Sequence, residues 1–292
     1  MRLFAGLEEI TSENEPLAPH TTFRLGGPAS RLVRPRSEAE LAEVLRRARL
    51  AELPLRMLGG GANLLVREQG VPGVVVQLDA PAWKQVHFAE DGVRAGGGVN
   101  MARLVNEAAR HGLAGLERMA GIPGSVGGCV RMNAGGRGGS IGELVRTVRV
   151  MDPSGQVSER TGRESDFGYR RSHLDGLLVL SVDLSLEPDD PQRVRRRRDE
   201  MWRYKQATQP LSEHSAGCIF RNPVGHSAGR LIEEAGLKGR RIGGAEVSRK
   251  HANFIVARTG GRTDDVLRLI SVIQQTVNDR YDVCLDLEVE VW

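Results

Sequence analysis

Aromatic residues make up only 4% of this 292-residue chain, cysteine occurs three times, and no apolar run is long enough to cross a membrane. Each shortage excludes something. Cys129, Cys218 and Cys284 are too few and too far apart for a disulfide framework, and they lack metal-ligand spacing, so reduced thiols and no metal are expected. A membrane helix needs about 20 apolar residues in a row. None is present, and the N-terminal stretch Met1-Arg-Leu-Phe-Ala-Gly-Leu-Glu-Glu9 has no secretory apolar core, so a cytoplasmic protein without membrane contact is expected. Scarce aromatics also leave few surfaces on which bases could stack. The net charge of +4 therefore points away from nucleic acid and toward a small anionic ligand. The run Arg193-Val-Arg-Arg-Arg-Arg198, followed by Asp199 and Glu200, reads as the solvated face of a helix.

Glycine, by contrast, is abundant and clustered. Gly121-Ile-Pro-Gly-Ser-Val-Gly-Gly128 is followed at once by Met132-Asn133-Ala134-Gly135-Gly136. Glycine inside a helix or strand costs about 0.5–1 kcal/mol relative to alanine, so a shaped loop is expected throughout the first of these runs. Bare backbone amides let an anion approach closely, and pyrophosphate is the usual ligand of such loops; a tight structural turn is the alternative. The spacing matches neither the dinucleotide fingerprint nor the nucleoside-triphosphate loop.

Periodicity supplies an α+β outline. Ser37-Glu-Ala-Glu40 reads as a capping box for a helix with Leu41, Val44, Leu45 and Ala48 on one face, and Pro54 lies beyond its end. A strand then leads into Gly59-Gly-Gly-Ala-Asn-Leu-Leu65. Short strands are expected at 74–78 and around Val93, and Asn100 caps a helix carrying Leu104, Val105 and Ala108 that stops at Gly112. Further strands are expected at 145–151, leaving through the turn Asp152-Pro-Ser-Gly155, and at 177–186. A helix should run from Pro191 to about Lys205. Pro188, Asp189, Asp190 and Pro191 place a boundary near residue 188, separating a region 1–188, with lobes of about 1–80 and 81–188, from a C-terminal domain 189–292. That domain should hold a short helix at 230–235, a strand at 253–257 and a long helix at 263–280. In the long helix Val266, Leu269, Ile270, Ile273 and Val277 repeat as a core stripe.

Six segments together carry a family resemblance. Thr21-Thr-Phe-Arg-Leu-Gly-Gly27, Gly59-Gly-Gly-Ala-Asn-Leu-Leu65, the Gly121–Gly128 run, Phe167-Gly-Tyr-Arg170, Ser215-Ala-Gly-Cys-Ile-Phe-Arg-Asn-Pro223 and His251-Ala-Asn-Phe-Ile255 resemble, in order, the motifs of UDP-N-acetylenolpyruvoylglucosamine reductases. The resemblance extends from about residue 16 to the C-terminus. It implies a flavoprotein of peptidoglycan synthesis that uses NADPH to reduce FAD and then reduces the enolpyruvyl ether of a UDP-sugar to UDP-N-acetylmuramate. The implied fold is of the vanillyl-alcohol-oxidase type, two lobes holding non-covalent FAD and a third α+β domain for substrate. Gly59, Gly60, Gly61, Ala62, Asn63 and Leu64, with Gly121, Ile122, Pro123, Gly124, Ser125, Gly127, Gly128, Asn133 and Ala134, are thereby assigned to the cofactor. Tyr169-Arg170-Arg171-Ser172 without a following insertion resembles the compact branch of the family, which lacks an extra substrate-covering loop.

Three catalytic roles follow from the resemblance. Hydride addition at C3 of the enolpyruvyl group builds negative charge on C2 and the carboxylate, and Arg170 matches the family's catalytic arginine; Arg171 is the weaker candidate. The proton for C2 comes in the family from a serine, and Cys218 stands there in this chain. A thiol with a reference pKa of about 8.5 is mostly protonated at neutral pH and is a stronger acid than a hydroxyl, so Cys218 is expected to serve as the general acid. Glu288 in Leu285-Asp-Leu-Glu-Val289 matches the family's C-terminal glutamate, with Glu290 as its rival on the same strand face. Tyr169, Arg221, Asn222 and His251 are implied substrate contacts, and Arg203, Lys205, Arg221 and Lys238 are all available for the diphosphate. A monomer is expected. A flavin-dependent oxidase of the same fold and a catalytically silent flavin or UDP-sugar binder remain the alternatives.

Overall fold

The computed structural model describes residues 4–292. Among these residues six α-helices, α1 (Glu38–Leu50), α2 (Met101–Arg110), α3 (Val126–Arg131), α4 (Pro191–Thr208), α5 (Ala228–Glu234) and α6 (Thr263–Tyr281), alternate with short strands. The chain divides into two compact units. One takes in residues up to 13, 31–60 and 72–204, and the other residues 14–30, 61–71 and 205–292. The Pro-Asp-Asp-Pro cluster at 188–191 therefore lies inside the first unit, where it starts α4. The beginning of that helix belongs there because Val194 is fully buried, Met201 packs on the unit's core, and Arg197 pairs with Glu117 and Asp189, each at 2.9 Å. The arginine run is a solvated face, as expected: Arg193, Arg195 and Arg196 are exposed on either side of Val194, and Arg193 pairs with Asp189 at 2.6 Å.

The strands Pro28–Val33, Val74–Gln77 and Leu55–Leu58 are neighbours in that order and run parallel, with the first unit's Leu32 opposite Val75 and Leu55 opposite Val74. Parallel strands need a crossover, and α1 supplies one. Its expected apolar face is buried throughout. Ser37 accepts from Glu40 N at 3.2 Å, but the returning half of the box falls one residue early, Glu40 accepting from Arg36 N at 2.6 Å. The second sheet is antiparallel, ordered Val157–Thr161, Val145–Met151, Leu178–Ser185, Gly92–Gly96, Val86–Ala89. Its inner face, with Val93, Val148 and Val182, packs on α2 and α3 to form the main core. Asn100 caps α2 by accepting from Arg103 N at 3.1 Å.

One expectation fails here. The run 121–128 is a loop only as far as Ser125; beyond it Gly127 and Gly128 belong to α3. Ser125 caps this short helix, accepting from Gly128 N at 3.3 Å. Glycine's low helix propensity is overridden by close packing, because a Cβ on Gly127 would stand 3.0 Å from the Gly97 oxygen that accepts its N–H at 2.9 Å.

The second unit holds the antiparallel strands Arg241–Ile242, Ala245–Val247 and Ile255–Ala257, with α5 and α6. The α6 stripe from Val266 to Val277 is no more than 3% exposed. Each such side chain contributes about 1.5–3 kcal/mol by leaving water. Glu290–Val291 pairs in parallel with Leu64–Leu65. The segment 21–27 is a packing motif: Phe23 is fully buried in this core, and a Cβ on Gly27 would meet the Glu68 carbonyl at 2.1 Å.

Candidate functional site

A cavity of about 390 Å³ opens in the first unit. Gly59 and Gly60 reach it from the end of one strand, and Gly124, Ser125, Gly127 and Gly128 reach it from the start of α3. The two glycine loops touch backbone to backbone, since a Cβ on Gly60 would lie 2.6 Å from Gly124 Cα and 3.0 Å from Ser125 N. Among the described residues, the N–H groups of Gly60, Gly124 and Ser125 find no protein acceptor. Converging bare amides with Lys84, Arg103 and Arg131 on the same lining suit an anionic ligand. Gly121, Ile122 and Pro123 do not line the cavity; they make the turn leading to it, with Gly121 at φ +74°. Ala134 uses its N–H on Cys129 O at 2.8 Å and its carbonyl on Ile141 N at 2.9 Å. Cys129, the thiol nearest the loop in sequence, is buried in the core and is not on the lining. Gly61, Ala62, Asn63 and Leu64 stand in the second unit.

Also in the first unit, Phe167-Gly-Tyr-Arg170 closes into a tight turn. Gly168 N donates to Arg171 O at 2.9 Å, and Arg171 N returns a bond to Gly168 O at 3.2 Å. Arg170 occupies the third position of this turn at φ +53°, a conformation normally left to glycine and costing on the order of 1–2 kcal/mol for other residues. Its Nη2 donates to Gly135 O at 3.1 Å, and its guanidinium lies 5.2 Å from the centre of the exposed Tyr169 ring. Arg171 instead pairs with Asp166 at 3.2 Å. The two adjacent arginines thus differ: Arg170 is half-buried and Arg171 is exposed. Asn133 braces the turn, its Nδ2 donating to Gly168 O at 2.8 Å and its Oδ1 accepting from Gly142 N at 2.9 Å.

In the second unit, Cys218 and Glu288 lie on adjoining segments. Glu288 N donates to Ile219 O at 2.8 Å, Arg221 N donates to Asp286 O at 2.9 Å, and Phe220 bridges to Leu287. On the other flank Asn253, 3% exposed, closes a pair of bonds with Phe220: Phe220 N donates to Oδ1 at 3.0 Å, and Nδ2 donates to Phe220 O at 2.8 Å. Asn63 Nδ2 donates to Glu288 O at 2.9 Å. Cys218 is half-buried and in no disulfide, and it follows Gly217 at φ +77°. Glu288 is half-buried whereas Glu290 is exposed, a distinction that strand alternation could not make.

The remaining expected contacts differ in exposure. Arg221 is exposed, and Asn222 accepts from Ala228 N at 3.0 Å beside the Ser227 cap of α5. His251 Nδ1 accepts from Asn253 N at 3.3 Å, and its ring meets Phe254 edge-on at 4.9 Å. Burial, and after it the charge of Lys238, push the His251 pKa below its usual value against the opposing pull of Glu233. Lys238 itself pairs with Glu233 at 2.7 Å, and Lys205 is buried.

Comparison with known proteins decides the family. Residues 29–160 match the FAD binding domain family, and residues 209–292 match the UDP-N-acetylenolpyruvoylglucosamine reductase, C-terminal domain. A UDP-N-acetylenolpyruvoylglucosamine reductase of Moorella thermoacetica is 45% identical over 291 residues, covering 99% of this chain and 96% of its own length. One from Bacillus velezensis is 40% identical, covering 96% and 93%. The chain belongs to the UDP-N-acetylenolpyruvoylglucosamine reductase family. The crystal structure of such a reductase from Thermus caldophilus matches with a TM-score of 0.83 at 40% identity, over 97% of this chain and 98% of that one. A grass-pollen Phl p 4 variant described as a glucose oxidase matches 64% of the chain at a TM-score of 0.51 and 16% identity, which shows a shared fold alone. The fold of this reductase-family member is accordingly α+β, its FAD-binding part of the vanillyl-alcohol-oxidase type.

Three features of the reductase site escaped the sequence reading. Gly97 and Gly98 line the cavity beside the two recognised loops. A strand, three glycines and the Asn100 helix cap were a usable signal for them. Asn253 was overlooked beside His251, although it holds the Cys218 segment from within. Asn133 and Asn63 were read only as cofactor residues, yet their side chains bond to Gly168 and Glu288.

Proposed function

We propose that this chain catalyses the NADPH-driven, FAD-dependent reduction of UDP-N-acetylglucosamine enolpyruvate to UDP-N-acetylmuramate, an oxidoreductase step of peptidoglycan synthesis. The observation that carries this reading is the co-occurrence of a glycine-walled cavity with unpartnered amides and a C-terminal unit in which Cys218 and Glu288 occupy bonded segments. The cavity fits FAD: close-packed backbone leaves amides free for a pyrophosphate, and no cysteine on the lining could form a covalent link. When bound, FAD would supply the hydride for C3, with NADPH as the source of its electrons.

The chain's own side chains would do the rest. Arg170 offers a planar, permanently charged group to the substrate carboxylate as negative charge builds. Cys218 gives its thiol proton to C2, so that hydride and proton together saturate the double bond, and the thiolate is reprotonated from solvent. Glu288 fixes the geometry of the enolate, and Tyr169, Arg221, Asn222 and His251 contact the substrate. The residues of the two glycine loops assigned to the cofactor by resemblance, Gly61 to Leu64 among them, stay in that role, whereas the Asn133 amide is taken up by Gly168 and Gly142; residues 189–292 remain the substrate domain in this reading. We further propose that the protein acts as a monomer in the cytoplasm. No helix among the described residues is long and apolar enough to cross a membrane.

Anaerobic stopped-flow absorbance separates the two half-reactions. Cys218→Ala should bleach normally with NADPH but reoxidise slowly with substrate, whereas Cys218→Ser should keep substantial activity. Arg170→Lys keeps charge but loses two-pronged geometry, and should slow reoxidation by more than about tenfold. Wild-type reoxidation in both Cys218→Ala and Arg170→Lys would remove these residues from the mechanism.

A further inference from the structure

We propose that Asn133 is a positioning residue for Arg170, holding the turn from which that guanidinium is presented. The inference rests on the reading that Arg170 acts on the substrate carboxylate. Asn133 is 5% exposed and joins two distant segments through one amide group: Nδ2 to Gly168 O at 2.8 Å, and Oδ1 to Gly142 N at 2.9 Å. Gly168 opens the turn that carries Arg170. Two residues beyond Asn133, the Gly135 carbonyl accepts from Arg170 Nη2 at 3.1 Å. The segment 133–135 therefore fixes both ends of the arginine, its backbone through Gly168 and its guanidinium directly.

The conformations involved are costly ones. Asn133 sits at φ +43° and Arg170 at φ +53°, both left-handed, and asparagine is among the residues that tolerate this region best. Strained backbone persists where the surroundings over-determine it. Gly142 shows how tightly: a Cβ there would lie 2.7 Å from Asn133 Oδ1 and 2.5 Å from Phe167 Cγ. Only glycine leaves room for the amide and for the aromatic ring that starts the Phe167-Gly-Tyr-Arg170 motif.

A double-mutant cycle on the yellow holoenzyme tests the proposal, with flavin reoxidation by the UDP-enolpyruvyl sugar as the readout and NADPH bleaching as the control. Asn133→Asp keeps the acceptor for Gly142 N–H, tolerates positive φ, and loses the donor to Gly168. It should retain FAD and bleach at the wild-type rate, yet reoxidise roughly 10- to 100-fold more slowly, the scale of a misplacement near 1 Å. In an Arg170→Ala background the same change should cost less than about twofold, because the group it orients is gone. Should Asn133→Asp not fold, Gly142→Ala, which displaces the same amide, enters the cycle in its place. Multiplicative effects, or loss of FAD with bleaching impaired, would overturn the proposal and leave Asn133 a structural or cofactor residue. Unchanged reoxidation in Arg170→Ala alone would instead overturn the reading of Arg170.

Discussion

Replacing Asn253 by alanine should damage the second unit in two separable ways. The side chain satisfies both backbone groups of Phe220, itself 1% exposed, through bonds of 3.0 and 2.8 Å. Alanine leaves a buried N–H and a buried C=O unpaired, each at a cost of about 1–3 kcal/mol. Near the middle of that range the two together approach about 4 kcal/mol, equivalent to a melting temperature lower by roughly 10 °C. The Ile219 carbonyl, which accepts from Glu288 N at 2.8 Å, belongs to the same strip of backbone, so loosening Phe220 also loosens the spacing between Cys218 and Glu288. Substrate-driven reoxidation should therefore fall even well below the melting temperature, while NADPH bleaching stays normal. Differential scanning fluorimetry and anaerobic stopped-flow read the two effects. An Asn253→Ala protein that melts within about 2 °C of wild type would refute the bonding argument, and normal reoxidation would refute the positional one.

The cavity and the half-buried His251 make further predictions. Gly60→Ala drives a Cβ to within 2.6 Å of Gly124 Cα, a backbone atom that cannot swing aside, so FAD affinity should fall by about 10- to 100-fold at an overpacking cost of about 1–3 kcal/mol. Titrating FAD into the stripped protein by flavin fluorescence measures this, and wild-type affinity would contradict the close-packed picture. His251 has its pKa lowered in the folded state, so the unfolded chain takes up the proton first as the pH falls through about 6.5, and stability should drop on the acid side of that point. Urea midpoints across this range should decline less steeply in His251→Gln; an identical slope would show that His251 does not contribute.

What could be read from the sequence followed the range of the interactions involved. The apolar faces of α1 and α6 and the strand Val145–Met151 rest on spacing within a single element, and they appear where the spacing puts them. Helix α3 was missed because propensity counts the cost of Gly127 and Gly128 but not the Gly97 carbonyl pressed against Gly127. The assignment of residues 14–30 and 61–71 to the C-terminal unit depends on packing such as Phe23 and Leu65 against α6, which no local pattern encodes. The proposed site residues rest on motif register, Cys218 on the serine it replaces and Glu288 on its Leu-x-x-Glu-Val setting. Their supports were not, because Asn63, Asn133 and Asn253 bond mainly to backbone groups whose identity leaves no mark on the sequence.

Passage of electrons from NADPH through FAD to a UDP-enolpyruvyl sugar can be followed in the absorption spectrum of the purified protein under anaerobic conditions. The protein should show a flavin spectrum that NADPH bleaches and that UDP-N-acetylglucosamine enolpyruvate restores in an equimolar titration, with alcohols giving no recovery. A flavin that the enolpyruvyl sugar leaves reduced would contradict it.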